Sequence, residues 1–180
     1  MVRKSGIGSH TLPGRGQTND WITPKWLLER LGQFDVDPCQ SLTQPWPCAE
    51  RGYTIVDDGL SQKWLKKERM WVNPPYGEEA WPFMERLAQQ RNGIGLLFGR
   101  TETKMFSAHI WQEADAILFL AGRLTFFKPD GTKGKGNSGG PSVLVAYGKH
   151  NANCLKTCGL PGAFVTGWEF IKATEAHDTV

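Results

Sequence analysis

The stretch from Met70 to Gly77, M-W-V-N-P-P-Y-G, constrains the fold of this 180-residue chain more than any other. It is a short apolar run that ends in two adjacent prolines, which remove two backbone N–H donors and exclude a helix. A strand that enters this stretch must therefore stop and continue as a stiff, extended loop. The loop places an amide acceptor, Asn73, close to an aromatic ring, Tyr76. This arrangement is suited to gripping a flat ring that carries an amine.

The chemistry of such an amine explains why these residue types are useful together. A planar exocyclic amine is a weak nucleophile because its lone pair is delocalised into the ring. The side-chain oxygen of Asn73 and the carbonyl of Pro74 could accept hydrogen bonds from the two N–H groups of the amine and pull its nitrogen toward tetrahedral geometry. Tyr76 would stack on the ring. The tetrapeptide Asn73-Pro74-Pro75-Tyr76 resembles the [D/N/S]-P-P-[Y/F/W] catalytic motif of DNA amino-methyltransferases. A plain strand-to-loop turn with a surface tyrosine is the alternative for these four residues taken alone.

Composition and charge narrow the class of protein. Hydrophobic residues make up 39% and charged residues 22% of the chain, which is ordinary for a soluble globular domain. The formal net charge of +3 permits a polyanionic partner without requiring one. No apolar stretch approaches the length of a membrane span, and the first ten residues lack the apolar core of a signal peptide. We therefore expect a cytoplasmic protein with no membrane partner.

Two domain-level expectations follow from the distribution of residue types. Residues 1–19 are rich in Gly and Ser, carry several basic side chains and contain no acid, which predicts a flexible basic arm. Residues 20–180 are expected to form a single catalytic domain. The four cysteines show no C-x-x-C pairing, so reduced structural thiols are favoured over a metal site. The weaker alternative is a metal site built from Cys154, Cys158, His150 and His177.

Three segments before the proline motif are candidates for a cofactor site. Thr23 and Pro24 are predicted to cap and begin a short helix that closes at Gly32, and its free N–H groups would suit a carboxylate. A short strand, Phe34 to Cys39, ends at an acid, Asp37, placed to meet a cationic amine at the carboxyl ends of the strands. Residues 53–56 predict another strand, followed by an acidic pair of which Asp58 is favoured over Asp57.

The second half of the chain predicts alternating helices and strands. Helices are expected at residues 78–91 and 104–112, and strands at 94–98, 116–120, 122–127 and 141–147, with a final strand at 167–173. Arg100, in a polar turn at the end of a strand, is a candidate for contacting DNA phosphate or lining a base pocket, or alternatively for a structural ion pair. Lys133 and Lys135 lie in a glycine-rich loop that either neutralises phosphates or is a solvated linker.

The motifs fall in a fixed order between about residues 21 and 148: W-x-T-P, F-D-V-D-P-C, D-D-G-L followed by Trp64, W-V-N-P-P-Y-G, G-R-T-E-T, G-R-L-T-F-F and P-S-V-L-V-A-Y-G. This ordered set resembles the phage-type DNA N6-adenine methyltransferase (Dam) family. The resemblance implies a Rossmann-like, S-adenosylmethionine-dependent α/β fold whose mostly parallel sheet ends in an antiparallel hairpin. Since few residues separate Asp37 from Asn73, we expect this part of the sheet to be shorter than in a full methyltransferase fold.

The resemblance also implies roles for particular residues. The catalytic residues would be Asn73, Pro74, Pro75 and Tyr76, and the cofactor-binding residues would be Trp21, Thr23, Pro24, Asp37, Pro38 and Asp58. The family's D-P-x-x-G-x-G cofactor motif is present without its glycines, because Gln40, Ser41, Leu42 and Thr43 stand in their place.

The substrate implied is an adenine in double-stranded DNA, flipped out of the duplex for methylation. With little surface for reading base edges, the chain is expected to recognise a short or relaxed sequence. The alternatives are methylation of cytosine N4 in DNA or of adenine in RNA, and a nucleic-acid-binding module that has lost its catalytic activity. The oligomeric state is left open.

Overall fold

The computed structural model describes residues 21–172, so the predicted basic arm at residues 1–19 lies outside the described residues. The helices are α1 (Lys25–Leu31), α2 (Ala80–Gln90), α3 (Lys104–Phe106), which continues as a π-helical turn (Ser107–Trp111), and α4 (Lys149–Thr157). The strands are β1 (Val36–Asp37), β2 (Arg51–Gly52), β3 (Met70–Val72), β4 (Gly93–Phe98), β5 (Ala116–Leu120), β6 (Ser142–Tyr147) and β7 (Gly162–Thr166).

The strands form one seven-stranded sheet in the order β2-β1-β3-β4-β6-β5-β7. The pairs β2-β1, β1-β3 and β3-β4 are parallel, whereas β6 runs antiparallel to both of its neighbours and β7 antiparallel to β5. The result is a mixed α/β fold with a mostly parallel sheet. The carboxyl ends of β1, β3 and β4 meet at one edge of this sheet, which is where open α/β sheets bind ligands.

Helices cover both faces of the sheet because strand side chains alternate between the faces. On one face, α1 and α4 pack against a layer that includes Trp71, Ile94, Leu96, Leu118 and Leu144. On the other face, α2 and the π-helical turn after α3 pack against a layer that includes Met70, Val72, Leu97, Val143 and Val145. The central strands are therefore apolar on both faces, which explains why they read as near-continuous hydrophobic runs.

Several predicted elements are confirmed with small shifts of their ends. The helix predicted at 78–91 is α2, the strand at 94–98 is β4, and the strand at 141–147 is β6. The antiparallel hairpin was predicted between residues 122–127 and 141–147, but β6 pairs in antiparallel register with β5 instead. The hairpin is not at the edge of the sheet, however, because β7 adds to the outer side of β5.

The strand predicted at residues 53–56 is wrong. The carboxylate of Asp57 accepts hydrogen bonds from the backbone N–H of Thr54 at 2.8 Å and from its hydroxyl at 2.7 Å, which turns the chain. Ile55 and Val56 are left 83% and 80% exposed. β2 forms earlier, at Arg51–Gly52, and no helix lies between β1 and β3. This part of the sheet is therefore trimmed to strands of two or three residues.

Two further predicted strands are wrong. The segment 122–127 cannot extend the sheet, because both edges of β5 are already occupied by β6 and β7; only Phe127 forms isolated bridges, to Ile22 and Lys133. The final strand is β7 at Gly162–Thr166 rather than 167–173, of which residue 173 lies beyond the described range. Gly167 ends it with a φ of 69°, in the left-handed region that favours glycine.

The start of α1 also differs by one residue from the prediction. Pro24 is the N-cap, with an extended ψ of 131°, and no side chain caps the helix. The Thr23 hydroxyl, predicted to be the cap, is buried without a hydrogen-bond partner. Of the helices within residues 21–172, none is long and apolar enough to cross a membrane.

Candidate active site

A cleft opens at the carboxyl ends of β1 and β3. It is lined by residues from four segments of the chain: Trp21, Ile22 and Thr23; Asp37, Cys39, Ser41, Gln44 and Cys48; Trp71; and Asn73, Pro74, Pro75 and Tyr76. The motif residues predicted from the sequence thus meet in one place, although Trp21 and Asn73 are 52 positions apart. The short β1 and β3 bring them together because parallel neighbours end at the same edge of the sheet.

The side chain of Asn73 is held in one orientation at the floor of this cleft. Its Nδ2 donates a hydrogen bond of 3.2 Å to the backbone carbonyl of Trp21. Its Oδ1 is buried and has no hydrogen-bond partner. Because a buried acceptor without a partner carries a desolvation cost of about 1–3 kcal/mol, this oxygen is a site prepared for a donor.

Tyr76 is fixed by aromatic neighbours. Its ring is stacked on Phe98, the last residue of β4, and meets the edge of Phe126, with ring centroids 6.1 Å apart. The Tyr76 hydroxyl is buried without a partner, and burial raises the pKa of this phenol well above its ordinary value. One face of the ring is therefore occupied by Phe98, so a planar ligand could stack only on the other face.

Unpaired polar atoms are concentrated in this cleft. Among the described residues, six buried side-chain polar atoms have no hydrogen-bond partner, and five of them belong to residues that line it. The five are Thr23 Oγ1, Gln44 Nε2, Trp71 Nε1, Asn73 Oδ1 and Tyr76 Oη. Since folded proteins pair nearly all their buried polar atoms, such a cluster indicates a binding site for a ligand with both donors and acceptors.

Asp37 is the acidic group of the cleft. It is buried, and this burial raises the pKa of its carboxyl to about 7, although the backbone N–H of Cys39 and the Cys48 thiol act in the opposite direction. The N–H of Cys39 donates to Asp37 Oδ1 at 2.9 Å. A carboxyl poised near neutrality in a cleft can gain a proton or a cationic partner, which makes it a candidate for binding an ammonium group.

The comparison with known proteins identifies the family. The profile described as DNA N-6-adenine-methyltransferase (Dam) matches residues 9–157, most of the chain. The chain belongs to this family. It is 28% identical over 150 residues to a DNA N-6-adenine-methyltransferase of Escherichia phage T1. That alignment covers 69% of this chain and 61% of the phage protein, so the chain spans less than two thirds of its relative. No solved structure matches the chain.

Three of the residues predicted for the cofactor of the Dam family lie beside the cleft rather than in its lining. Pro24 and Pro38 directly follow lining residues in the chain. Asp58 is exposed, with a φ of 51°, and its carboxylate accepts hydrogen bonds from the hydroxyl of Ser61 and the backbone N–H of Leu60. The bond from Ser61 lowers the pKa of the Asp58 carboxyl.

Gly59 connects Asp58 to the cleft and was not among the predicted site residues. A Cβ at this glycine would lie 2.0 Å from the carbonyl oxygen of Pro38, so only glycine lets the two segments touch. The carbonyl of Gly59 also accepts a hydrogen bond of 2.9 Å from Trp64 Nε1. This contact accounts for the spacing of five positions between Gly59 and Trp64 in this chain.

The predicted DNA-binding residues lie around the cleft and not in it. Arg100 is exposed two residues after Phe98, at the end of β4. Lys133 and Lys135 are exposed in the loop that follows Phe127, and Gly134 between them lies next to the Trp21 ring. The structure therefore places two lysines beside a residue that lines the cleft.

Other lining residues were not predicted. Gln44, Cys48 and Ser41 come from an irregular segment without any periodicity, so only their nearness to Asp37 in the chain could have suggested them. Burial raises the pKa of both the Cys39 and the Cys48 thiols, and the nearby Asp37 carboxylate raises them further, which keeps both protonated. In residues 21–172 no group of three or more His, Cys, Asp or Glu side chains is arranged to hold a metal ion.

Proposed function

We propose that this chain transfers the methyl group of S-adenosylmethionine to the N6 amine of adenine in double-stranded DNA. The observation that carries this proposal is the cleft in which Asn73 Oδ1, with no partner of its own, lies among four other unpaired polar atoms. Membership of the Dam family and the name of the phage T1 relative support the choice of adenine in DNA. The seven-stranded sheet supports a Rossmann-like methyltransferase fold, with residues 20–180 as a single catalytic domain.

The residues of the cleft fit the amino-acid part of S-adenosylmethionine. Gln44 Nε2 and Trp71 Nε1 are buried donors without acceptors, which matches a carboxylate. The carboxyl of Asp37 would pair with the ammonium group of the cofactor, whose positive charge would keep this carboxyl ionised. Gln44 and Trp71 would thus supply side-chain donors in a cleft whose loop lacks the glycines of the family motif. When bound, this cofactor supplies an electrophilic methyl group on a positively charged sulfur.

The remaining predicted cofactor residues surround this group of donors. Trp21 and Thr23 line the cleft opposite the catalytic loop, and Pro24 opens α1 beside them. Pro38 and Asp58 adjoin the cleft, because Gly59 touches the Pro38 carbonyl. We propose that these residues enclose the adenosine part of the cofactor.

The catalytic loop would act on the adenine amine by hydrogen bonding and positioning. Asn73 Oδ1 and the carbonyl of Pro74 would accept hydrogen bonds from the two N–H groups of the amine. This frees the lone pair of the amine nitrogen for the electrophile. Pro75 has no backbone N–H, so it cannot compete for the amine's acceptors. The face of Tyr76 that Phe98 does not cover stacks on the base. Preorganised polar groups in a buried cleft are effective because they need no reorganisation during the reaction.

The target base must leave the duplex to reach this cleft, at a cost of a few kcal/mol that stacking on Tyr76 offsets in part. We propose that Lys133, Lys135 and Arg100 contact DNA phosphates around the cleft. Such contacts carry no sequence information, so we propose a short or relaxed recognition sequence. The reaction would take place in the cytoplasm, which is that of the host cell if a phage encodes the chain.

The variant Asn73→Ala tests catalysis separately from binding. It removes the unpaired acceptor, and we expect methyl transfer to fall by about 100-fold or more, while the affinity for duplex DNA changes little. The matched control is Asn153→Ala on the exposed side of α4, for which we expect no change in transfer. A chain that binds DNA but never transfers a methyl group, before or after substitution, would instead be a nucleic-acid-binding module.

A further inference from the structure

The segment Trp21–Thr23, here called the strap, lines the cleft, and its Trp21 carbonyl accepts a hydrogen bond from the catalytic loop. Asn73 Nδ2 donates to the Trp21 carbonyl oxygen at 3.2 Å. A carbonyl oxygen can only accept, so the reverse orientation of the amide would place two oxygens against each other. The strap thereby decides that the nitrogen of Asn73 points to Trp21 and that Oδ1 is the atom left unpaired.

The strap is held by hydrogen bonds at the two residues that follow the Trp21 carbonyl, which fixes the position of this acceptor. Ile22 and Phe127 exchange two backbone hydrogen bonds, of 2.8 and 3.0 Å. The indole N–H of Trp46 donates to the carbonyl of Thr23 at 2.9 Å. The Trp46 ring also meets Phe127 edge to face, with centroids 5.1 Å apart. These contacts join the strap to the glycine-rich loop and to the irregular segment before β2.

We propose that the backbone carbonyl of Trp21 is a positioning group that orients the Asn73 amide for catalysis, and that it makes an ionised aspartate unworkable at this position. The inference rests on the proposed function and deepens it. The [D/N/S] alternatives at the first position of the motif are not interchangeable in this chain. An ionised carboxylate at position 73 would turn one of its oxygens toward the Trp21 carbonyl, with no proton between them.

A protonated aspartic acid escapes this conflict. Its O–H donates to the Trp21 carbonyl as Asn73 Nδ2 does, and its other oxygen faces the cleft as an acceptor. The titratable residues lining the cleft are Asp37, Cys39, Cys48 and Tyr76. Among them, Asp37 is the group that becomes negative near neutral pH, and its charge would further disfavour a second carboxylate. The activity of Asn73→Asp should therefore fall as the pH rises.

The experiment compares the initial rates of wild type, Asn73→Asp and Asn73→Ala from pH 6 to pH 9. Dividing each variant's rate by the wild-type rate at the same pH removes the pH dependence that the variant shares with wild type. We expect the Asn73→Asp ratio to be at least tenfold higher at pH 6 than at pH 9, and the Asn73→Ala ratio to be independent of pH. An Asn73→Asp ratio that is flat, or that rises with pH, would overturn the proposal.

A second measurement does not depend on activity. Titration of a ¹³C-labelled carboxyl at position 73 of Asn73→Asp, followed by NMR, should have its midpoint at least about 2 pH units above the 3.9 of a free aspartate. A midpoint near or below that of a free aspartate would overturn the orientation argument even if the wild type methylates DNA. If the wild type transfers no methyl group, the proposed function fails, whereas this titration still decides the orientation.

Removing the hydrogen bond between Trp46 and the strap tests the same proposal without changing Asn73. Trp46→Phe keeps an aromatic ring against Phe127 but loses the indole N–H that holds the Thr23 carbonyl. We expect kcat to fall about tenfold with the KM for DNA unchanged. Trp26→Phe, at an exposed position of α1, is the matched control and should leave kcat unchanged. An equal kcat for Trp46→Phe and wild type would show that the strap's position does not matter for catalysis.

Discussion

Tyr76 lies flat against Phe98, with ring centroids 4.2 Å apart and ring planes 9° apart. The stack joins the last residue of β4 to the last residue of the proline motif. It fixes the plane in which a target base would have to lie, because only the opposite face of Tyr76 remains for it. The ring, and not the hydroxyl, is therefore the part of Tyr76 that the proposed function uses.

Tyr76→Phe separates the ring from the hydroxyl. The substitution keeps the stack and removes a buried hydroxyl that has no partner. Because an unpaired buried polar group costs about 1–3 kcal/mol, we expect the free energy of unfolding to rise by about 1 kcal/mol, measured by urea denaturation. Methyl transfer should stay within about threefold of wild type, whereas Tyr76→Ala, which removes the ring, should lose about 100-fold or more. Equal losses for the two variants would assign the function to the hydroxyl instead.

Asp37→Asn tests the environment of the buried acid. Burial raises the folded-state pKa of Asp37 to about 7, above its value in the unfolded chain. The folded state therefore holds the proton more tightly, and this group's contribution to stability is lost as the pH rises from about 4 to about 7. Asn cannot ionise, so Asp37→Asn should be more stable than wild type at pH 8, by up to about 4 kcal/mol. The difference should vanish near pH 4.

Urea denaturation of wild type and Asp37→Asn at pH 4, 6 and 8 measures this difference directly. A variant that loses stability relative to wild type as the pH rises would show that Asp37 is ionised and stabilising in the free protein. The affinity for S-adenosylmethionine is a separate readout, and we expect Asp37→Asn to weaken it because the ammonium group loses its partner.

Gln44→Glu tests the proposed binding of the cofactor's carboxylate. Gln44 Oε1 accepts a hydrogen bond of 3.2 Å from the backbone N–H of Ser41, and a glutamate oxygen can keep that bond. The unpaired Nε2, however, becomes a second carboxylate oxygen. We expect the Kd for S-adenosylmethionine, measured by calorimetry, to rise about tenfold or more, since like charges face each other in a buried site. Decarboxylated S-adenosylmethionine is the control ligand, and its affinity should not fall. Equal losses for both ligands would place the carboxylate elsewhere.

Gly59→Ala tests the contact between the acidic turn and the strand that ends at Asp37. The added Cβ would lie 2.0 Å from the backbone oxygen of Pro38, so one of the two segments must move. We expect a loss of at least about 2 kcal/mol in the free energy of unfolding, as for other substitutions that overpack a site. Gly136→Ala is the matched control, because no atom lies within 4 Å of its added Cβ. Similar stabilities for the two variants would contradict the proposed close approach.

The sequence predicted the elements whose pattern is local. α2 carries apolar residues at helical spacing, and β4 and β6 are apolar runs buried on both faces, so each pattern reflects the element's own environment. It failed where a side-chain hydrogen bond or a distant part of the chain decides the structure. Ile55 and Val56 have high strand propensity, but the side chain of Asp57 turns the chain there. The segment 122–127 has a strand-like sequence, but both sides of β5, its predicted neighbour, are taken by β6 and β7.

The candidate site was predictable to a similar extent. Thr23, Asp37 and the Asn73 loop were predicted because each lies next to the end of a predicted element, and Trp21 through the resemblance to the Dam family. The structure brings all of them into one cleft. Gln44 and Cys48 were missed because an irregular segment gives no periodic signal. The orientation of the Asn73 amide was beyond reach from sequence, since it depends on a carbonyl oxygen 52 residues away.

The most direct test of the central claim is incubation of the purified protein with methyl-labelled S-adenosylmethionine and unmethylated duplex DNA, followed by mass spectrometry of the digested nucleosides. The proposed function predicts labelled N6-methyladenine, abolished by Asn73→Ala. Labelled N4-methylcytosine, or label found only when RNA replaces DNA, would contradict the proposed substrate. No labelled base on either nucleic acid would contradict methyl transfer itself.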